Sequence, residues 1–337
     1  MLKILYIDQR DYGHNADLHI DFIANFEKNK RHRVIGYGRY LHKYLRETTN
    51  PNMVNVTKQL DRLTAKVKPD LILTYNCNGS SYEVGLDNVQ RYEWIQDFMR
   101  KTSIPKFHVT TDYCRSGFKK SQGKWFEDLG YTAAFFRHKV ALSHPLEIDG
   151  HWLPFSIDRS LYEKNIIKDI KAKNFKVGFL GAAHNSSKKL YAHRVAAMDY
   201  LNKRRLLKVS KITNRRKFTR ELLFGKRYVR FLTSNYFGLA CGGTCNFMTA
   251  KYFQIPASYS MLVGVPTEGS EILPKDTFIP YSKDRKDLKR MQAEIYYHAR
   301  NPDIMRDKID LAHKYVMAKH NHDRRTKEFV GLFRGYL

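Results

Sequence analysis

The sequence lacks a long hydrophobic run, which limits the kinds of protein that it can encode. No stretch approaches the ~18 uncharged apolar residues of a membrane-spanning helix, so we expect no membrane span. The opening residues MLKILYID soon meet charged positions, which favours a first strand over a signal peptide. Because 42% of the 337 residues are hydrophobic, we predict a globular cytoplasmic protein, and we expect a monomer.

Cysteine is scarce. The four cysteines, Cys77, Cys114, Cys241 and Cys245, are spread over the chain without a C-x-x-C pair. The single C-x-x-x-C spacing has no second pair or histidine cluster nearby, as a zinc site would require. We therefore predict reduced thiols, no metal site and no resident cofactor.

Several catalytic motifs are absent as well. The sequence contains no D-x-D, H-E-x-x-H, G-x-S-x-G or Walker pattern. Carboxylate-held metal catalysis, serine hydrolysis and ATP hydrolysis therefore have no motif to support them.

Acidic residues are in deficit. The chain has 33 Asp and Glu against 60 Lys and Arg, which leaves a formal net charge of +27. Such a field attracts polyanions, and double-stranded DNA bound through a basic surface is the first partner to consider. The alternative is that the charge serves solubility or reflects a lysine-rich host proteome.

Apolar runs of strand type alternate with helical patterns along the chain. Strands are predicted at residues 2–8, 32–38, 70–76, 106–112, 132–138, 176–182, 260–265 and 277–281. Helices are predicted at residues 17–29, 55–67, 88–101, 283–299 and 302–333. This alternation is typical of an α/β protein whose parallel sheets are covered on both faces.

The pattern predicts two domains. Residues 1–150 form one doubly wound lobe, and residues 151–173 form a linker rich in proline and glycine. The strand, small-residue loop and helix pattern then restarts in a second lobe at residues 174–318. Residues 319–337 form a terminal helix that could cross back to the first lobe.

Loops that follow strands are the candidate sites, because ligands collect at the carboxyl ends of strands in open parallel sheets. After the first strand, DQRDYGHNAD provides Gly13 for close backbone approach. Asp11 and His14 in the same loop could accept a proton. A histidine at this position could equally be a surface or capping residue.

Two segments of the second lobe could hold an anion. In GAAHNSSKK (181–189), small residues at a helix start let backbone N–H groups approach a diphosphate. The alternative is an ordinary turn capped by asparagine or serine. Further on, Gly242 and Gly243 precede a helix that carries Lys251 and Gln254, and acidic residues follow the next strand.

The basic run at residues 203–230 has two interpretations. Its aromatic residues Phe218, Phe224 and Tyr228 are interleaved with cations, as in a nucleic-acid surface with stacking rings. Alternatively it is an amphipathic helix whose aromatic side chains face the core.

Together, these motifs resemble the GT-B glycosyltransferases, and most of all the spore-maturation-protein-B-like group. The resemblance covers residues 150–330. It is carried by Leu153, Pro154, Asp158 and Tyr162, by Phe179, Gly181 and Arg194, by Lys251, Phe253 and Gln254, and by His320 and Arg325. It implies a GT-B fold, in which two Rossmann-like doubly wound lobes face a cleft and C-terminal helices close the chain.

The resemblance implies a metal-independent transfer of a sugar from a nucleotide donor, UDP- or GDP-linked, which binds the second lobe. By analogy, the loop at Gly181 and Lys251 would meet the diphosphate and Gln254 the ribose. The donor-binding residues are then expected to be Gly181, Ala182, His184, Arg194, Asn246, Lys251, Gln254 and Glu268. Many relatives carry Glu-x7-Glu where this chain has Asn246 and Gln254, so a hydrogen-bonding role can survive there but a charge-based role cannot.

The acceptor is expected on the first lobe. Acceptor-binding residues would be Gly13, Asn76, Asn78 and Arg115, and catalytic bases would come from Asp11, His14 and Asp112. An inverting reaction needs such a base and a retaining reaction does not. With +27 of charge, the favoured acceptor is a hydroxylated base in DNA, since bacteriophage DNA glucosyltransferases share this fold class. The alternatives are a surface glycan, protein or lipid acceptor, and a non-catalytic nucleic-acid-binding protein on the same scaffold.

Overall fold

The computed structural model of the protein shows two parallel sheets and two compact units. It describes residues 1–8, 23, 25–26, 32–38, 41, 45–49, 55–75, 86–110, 120–143, 146–181, 191–210, 225–242 and 247–337. Unit 1 comprises Met1–Pro154 together with Arg325–Leu337, and unit 2 comprises Phe155–Arg324.

Unit 1 contains a parallel sheet. Seven strands of this sheet lie within the described residues. They are β1 (Leu2–Asp8), β2 (His32–Tyr37), β3 (Glu47–Thr49), β4 (Leu71–Tyr75), β5 (Lys106–Thr110), β6 (Ala133–Phe136) and β7 (Asp149–Trp152). Their order is β3-β2-β1-β4-β5-β6-β7. The chain moves outward from β1 in both directions, so the topological switch point lies between β1 and β4.

Alternation along the strands explains why both faces of this sheet are covered. In β1, Ile4 and Tyr6 belong to one buried cluster, while Leu5 and Ile7 belong to a second. Successive strand side chains point to opposite faces, so a fully apolar strand needs packing partners on both. The second cluster is completed by helices α1 (Val56–Val67), α2 (Leu86–Lys101) and α3 (Lys120–Asp128).

Unit 2 contains the second parallel sheet. Its strands among the described residues are β8 (Asn174–Phe179), β9 (Leu207–Val209), β10 (Asn235–Ala240), β11 (Met261–Gly264) and β12 (Phe278–Pro280), in the order β12-β11-β10-β8-β9. Its helices are α4 (Arg159–Glu163), α5 (Ala192–Lys203), α6 (Gly225–Thr233), α7 (Lys251–Ala257), α8 (Arg285–Arg300) and α9 (Pro302–Lys319). The switch point of this sheet lies between β8 and β10.

The terminal helix α10 (His322–Arg334) supplies part of the core of unit 1. Phe329 and Phe333 are fully buried in the cluster that contains Ile4 and Tyr6. The ring of Phe329 lies 4.4 Å from that of Phe135 in β6, centroid to centroid. The first unit is therefore built from both ends of the chain.

The structure differs from the sequence prediction at several places, and the short strands β3 and β9 were not predicted. The helix predicted at residues 302–333 is two helices, because the chain breaks at His320 and Asn321. β7 continues to Trp152, paired with Phe136, where the sequence predicted a linker from residue 151. The central strand β10 was not predicted, since YFGLACGG lacks the β-branched residues that mark strands.

Candidate functional site

The candidate site lies at the carboxyl edge of the second sheet, beside its switch point. β8 ends at Phe179 and leads to Gly181, while β10 ends at Ala240 and leads through Cys241 and Gly242 towards α7. Neighbouring parallel strands end at the same edge of a sheet, so Gly181 and Gly242 lie at one edge. Ligands of open α/β sheets bind at such points.

Gly181 has a backbone conformation that favours glycine. Its φ is +155°, and a Cβ placed there would lie 3.1 Å from the ring of Phe179 and 3.7 Å from Nζ of Lys251. The Lys251 ammonium therefore reaches the backbone of the loop after β8. Gly242 is constrained in a second way, since a Cβ there would lie 2.1 Å from the carbonyl oxygen of Phe247.

Arg194 brings a second positive charge to the same place. It lies in the first turn of α5, is 8% exposed, and its guanidinium carbon lies 3.8 Å from the ring centroid of Tyr191 and 5.3 Å from that of Phe179. These rings hold the planar guanidinium by cation–π contact.

The two cations influence each other. Burial, and secondly the charge of Arg194, lowers the pKa of Lys251 to about 8, while Cys241 acts in the opposite direction. Among the described residues, no carboxylate forms an ion pair with Lys251. Two close positive charges in a partly buried place favour a ligand that carries negative charge.

Gln254 lies one turn after Lys251 on α7. It is 9% exposed, and its Oε1 accepts a hydrogen bond of 2.6 Å from the hydroxyl of Tyr228 in α6. Tyr228 therefore points towards α7 and not to the solvent. The basic run is not the single amphipathic helix of the second interpretation, because Leu207–Val209 form β9 and α6 begins only at Gly225. The other two aromatic residues of that run, Phe218 and Phe224, lie outside the described residues.

Glu268 follows β11 at the same edge of the sheet. It is partly buried, and its backbone forms a parallel bridge with Phe247, just after the 243–246 segment that contains Asn246. The structure thus brings Gly181, Arg194 and Lys251 together, places Gln254 one turn along α7, and puts Glu268 in the neighbouring loop. Their expected contacts with a donor stay predictions.

The other predicted site residues lie outside the described residues. They are Ala182, His184 and Asn246 in unit 2, and Asp11, Gly13, His14, Asn76, Asn78, Asp112 and Arg115 in unit 1. Those of unit 1 follow β1, β4 and β5, which are adjacent strands on either side of the switch point. The carboxyl ends of these three strands form the edge where a ligand of this sheet is expected.

Sequence reasoning missed the roles of Tyr228 and Tyr191. Tyr191 was not singled out, and Tyr228 was considered either as a stacking ring of a nucleic-acid surface or as a core-facing residue of an amphipathic helix. Leu232 lies four residues after Tyr228 on α6 and is buried, and an apolar residue at this spacing is a sequence signal that Tyr228 faces inward.

The described residues contain neither a membrane-spanning helix nor a metal-binding cluster. No helix in the described part of the chain is long and apolar enough to cross a bilayer. No group of three or more His, Cys, Asp or Glu side chains with metal-binding geometry occurs among the same residues.

Comparisons with known proteins show the fold. No profile of a known protein family matches the chain, and no curated protein sequence is significantly similar to it. Many solved structures are similar across nearly the whole chain. A glycosyltransferase from Rickettsia africae is 11% identical, with a TM-score of 0.68, and the alignment covers 99% of this chain and 98% of that one.

Two further structures were solved with nucleotide sugars. Anabaena HepE in complex with UDP-glucose is 10% identical, with 99% and 100% of the two chains covered and a TM-score of 0.69. An α-glucosyltransferase in complex with UDP-glucose and DNA containing an abasic site is 12% identical, with 98% and 99% covered and a TM-score of 0.65. The GT-B class predicted from the sequence is therefore confirmed.

Proposed function

We propose that this protein is a glycosyltransferase that moves a sugar from a UDP- or GDP-sugar to an acceptor hydroxyl. The observation that carries the proposal is the pair of cations, Lys251 and Arg194, beside Gly181 at the switch point of the second sheet. This arrangement suits a diphosphate, which is the leaving group of a nucleotide-sugar donor.

The chemistry follows from where charge develops. When the bond between the anomeric carbon and the diphosphate oxygen breaks, negative charge grows on the diphosphate and positive charge on the sugar ring. Lys251 and Arg194, already fixed in place, stabilise the departing diphosphate without reorganising. Backbone N–H groups of the loop that begins at Gly181 add to this stabilisation. The protein residues supply the charge that a metal ion provides in other transferases.

The proposed acceptor is a hydroxylated base in DNA. The net charge of +27 supports it, as does the similarity in fold to an α-glucosyltransferase solved with DNA. In an inverting reaction, Asp11, His14 or Asp112 would take the proton of the acceptor hydroxyl. These residues follow β1 and β5, at the edge of the first sheet where the acceptor is expected. A surface glycan, protein or lipid is the second candidate acceptor.

Hydrolysis or transfer measured with a panel of UDP- and GDP-sugars tests the proposal. We expect turnover with at least one donor, and Lys251→Ala should weaken binding of the matching nucleotide about ten- to a hundredfold, because it removes a charged hydrogen bond. Lys289→Ala, at an exposed position on α8, is the matched control and should leave both quantities unchanged.

Two outcomes would contradict the proposal. Equal turnover in wild type and Lys251→Ala would remove Lys251 from the donor site. An absence of turnover with every donor, together with retained binding to nucleic acid, would favour a non-catalytic protein on this scaffold.

A further inference from the structure

The contact between Tyr228 and Gln254 fixes the direction of a side-chain amide. A carboxamide has two different ends, an oxygen that accepts hydrogen bonds and a nitrogen that donates them. The oxygen of Gln254 is engaged by the Tyr228 hydroxyl at 2.6 Å. Burial raises the pKa of Tyr228 well above its usual range, so this hydroxyl keeps its proton and remains a donor.

The nitrogen end of the same amide has no such partner. None of the described residues accepts a hydrogen bond from Nε2 of Gln254. Gln254 lies one turn after Lys251, and residues three apart on a helix are neighbours on its surface. An amide donor therefore lies within one helical turn of the cation pair.

We infer that Tyr228 is a positioning residue that holds the Gln254 amide with its oxygen towards α6, so that Nε2 donates to a ribose hydroxyl oxygen of the bound nucleotide. The inference rests on the proposed function, because it concerns the same donor site. It adds Tyr228, which touches no substrate atom, to the residues of that site. It also gives the hydrogen bond between Gln254 and the ribose a direction.

An amide at position 254 needs a hydrogen-bond partner that orients it, whereas a carboxylate at this position needs none. Free rotation by half a turn exchanges the oxygen and nitrogen of glutamine, so an unpartnered amide presents either end. The two oxygens of a glutamate are equivalent, and a carboxylate accepts from a ribose hydroxyl in either orientation. Dependence on Tyr228 should therefore be a property of glutamine at position 254 and should disappear with glutamate.

Calorimetric binding of UDP, 2′-deoxy-UDP and 3′-deoxy-UDP tests the inference. In wild type, UDP should bind about three- to tenfold more tightly than at least one of the deoxy analogues, because one net hydrogen bond is lost. Tyr228→Phe should reduce the ratio of the UDP affinity to the affinity for the weaker deoxy analogue to about one to two. The affinity for that analogue itself should change little. If GDP is the nucleotide that binds, its deoxy analogues replace those of UDP.

Two further variants separate positioning from stability. In Tyr228→Phe combined with Gln254→Glu, the ratio should return to at least about threefold, because the carboxylate needs no orienting partner. Tyr200→Phe is the matched control, since the Tyr200 hydroxyl donates to Oε1 of Gln292 at 2.9 Å in the same unit. It should leave the ratio at the wild-type value. General loosening of the fold would weaken UDP and its analogues alike and would not change the ratio.

The outcomes distinguish this inference from the proposed function. UDP binding that depends on Lys251, with the same deoxy ratio in wild type and Tyr228→Phe, overturns the inference alone. Equal affinity of wild type for UDP and both deoxy analogues does the same. If neither UDP nor GDP binds, the inference falls together with the proposed function.

Discussion

At the scale of single residues, the proposed donor-side chemistry depends on two positive charges that the fold keeps close together. Arg194 is held by the rings of Tyr191 and Phe179, and Lys251 is the first residue of α7. Their mutual repulsion is unfavourable in the absence of an anion, and an anion relieves it. Binding energy is thus available at the place where negative charge should develop.

The pKa of Lys251 predicts how nucleotide binding depends on pH. This pKa is lowered to about 8, so the side chain is charged below that pH and loses its charge above it. A bound diphosphate favours the charged form and raises the pKa. Affinity for UDP should therefore be full below about pH 8 and fall by up to about tenfold per pH unit above it, until the pKa of the complex is reached.

Calorimetry between about pH 7.5 and 9.5 measures this dependence, and proton uptake on binding should peak in the same range. Lys251→Arg keeps its charge at these pH values and should remove the dependence. Cys241→Ser, which removes the neighbouring thiol, is the matched control and should leave the dependence unchanged. Affinity that is constant with pH in wild type would show that Lys251 does not meet the diphosphate.

At the scale of elements, a specific set of hydrogen bonds separates the end of α9 from the start of α10. The side chain of Asn321 donates to the carbonyl oxygens of Met317 (2.8 Å) and Ala318 (3.2 Å) and accepts from the backbone N–H of Arg324 (2.9 Å). The backbones of His320 and His322 are bonded to Ile157. One asparagine thus satisfies backbone groups at the end of α9 and at the start of α10. A continuous helix would have no such unpaired groups at this point.

Asn321→Ala should lower the free energy of unfolding by about 1–3 kcal/mol, because an N-cap and two buried donors are lost together. Urea denaturation followed by circular dichroism measures the change. Lys319→Ala, at an exposed position in the last turn of α9, is the control. A change of less than about 0.5 kcal/mol would place Asn321 among ordinary surface residues.

The same scale shows why the sequence predicted elements better than their ends. The buried strands β1, β4 and β5 and helices α1 and α8 were predicted because their apolar periodicity is local. The break at Asn321 depends on hydrogen bonds to Ile157, which lies far away in the chain. Pro256 lies inside α7, which extends to Ala257 although proline cannot donate a helical hydrogen bond.

At the scale of the whole molecule, net charge is the property that acts on a binding partner over the longest distance. A charge of +27 should make binding to duplex DNA strong at low salt and strongly salt-dependent. The logarithm of the binding constant should fall linearly with the logarithm of salt concentration, by about 0.9 per phosphate neutralised. Filter retention of labelled duplexes over a salt series measures this slope.

Transfer of sugar to a duplex that contains hydroxymethylated bases, with an unmodified duplex as control, then tests the acceptor itself. If no duplex is retained at low salt, the proposal of a DNA acceptor is wrong. A glycan, protein or lipid then remains as the acceptor. Retention without transfer would show that the charge serves binding alone.

The sequence by itself determined the alternation of strands and helices, the charge and the candidate loops, because these depend on composition, local sterics and side-chain periodicity. The GT-B class followed from the resemblance of its motifs to that family. Only the tertiary structure decided that Lys251 reaches Gly181, that Arg194 lies close enough to lower the pKa of Lys251, and that Tyr228 engages Gln254. These partners are far apart in the chain. They meet because β8 and β10 are neighbours in the sheet and because α6 and α7 pack side by side, and strand order is set by burial over the whole unit.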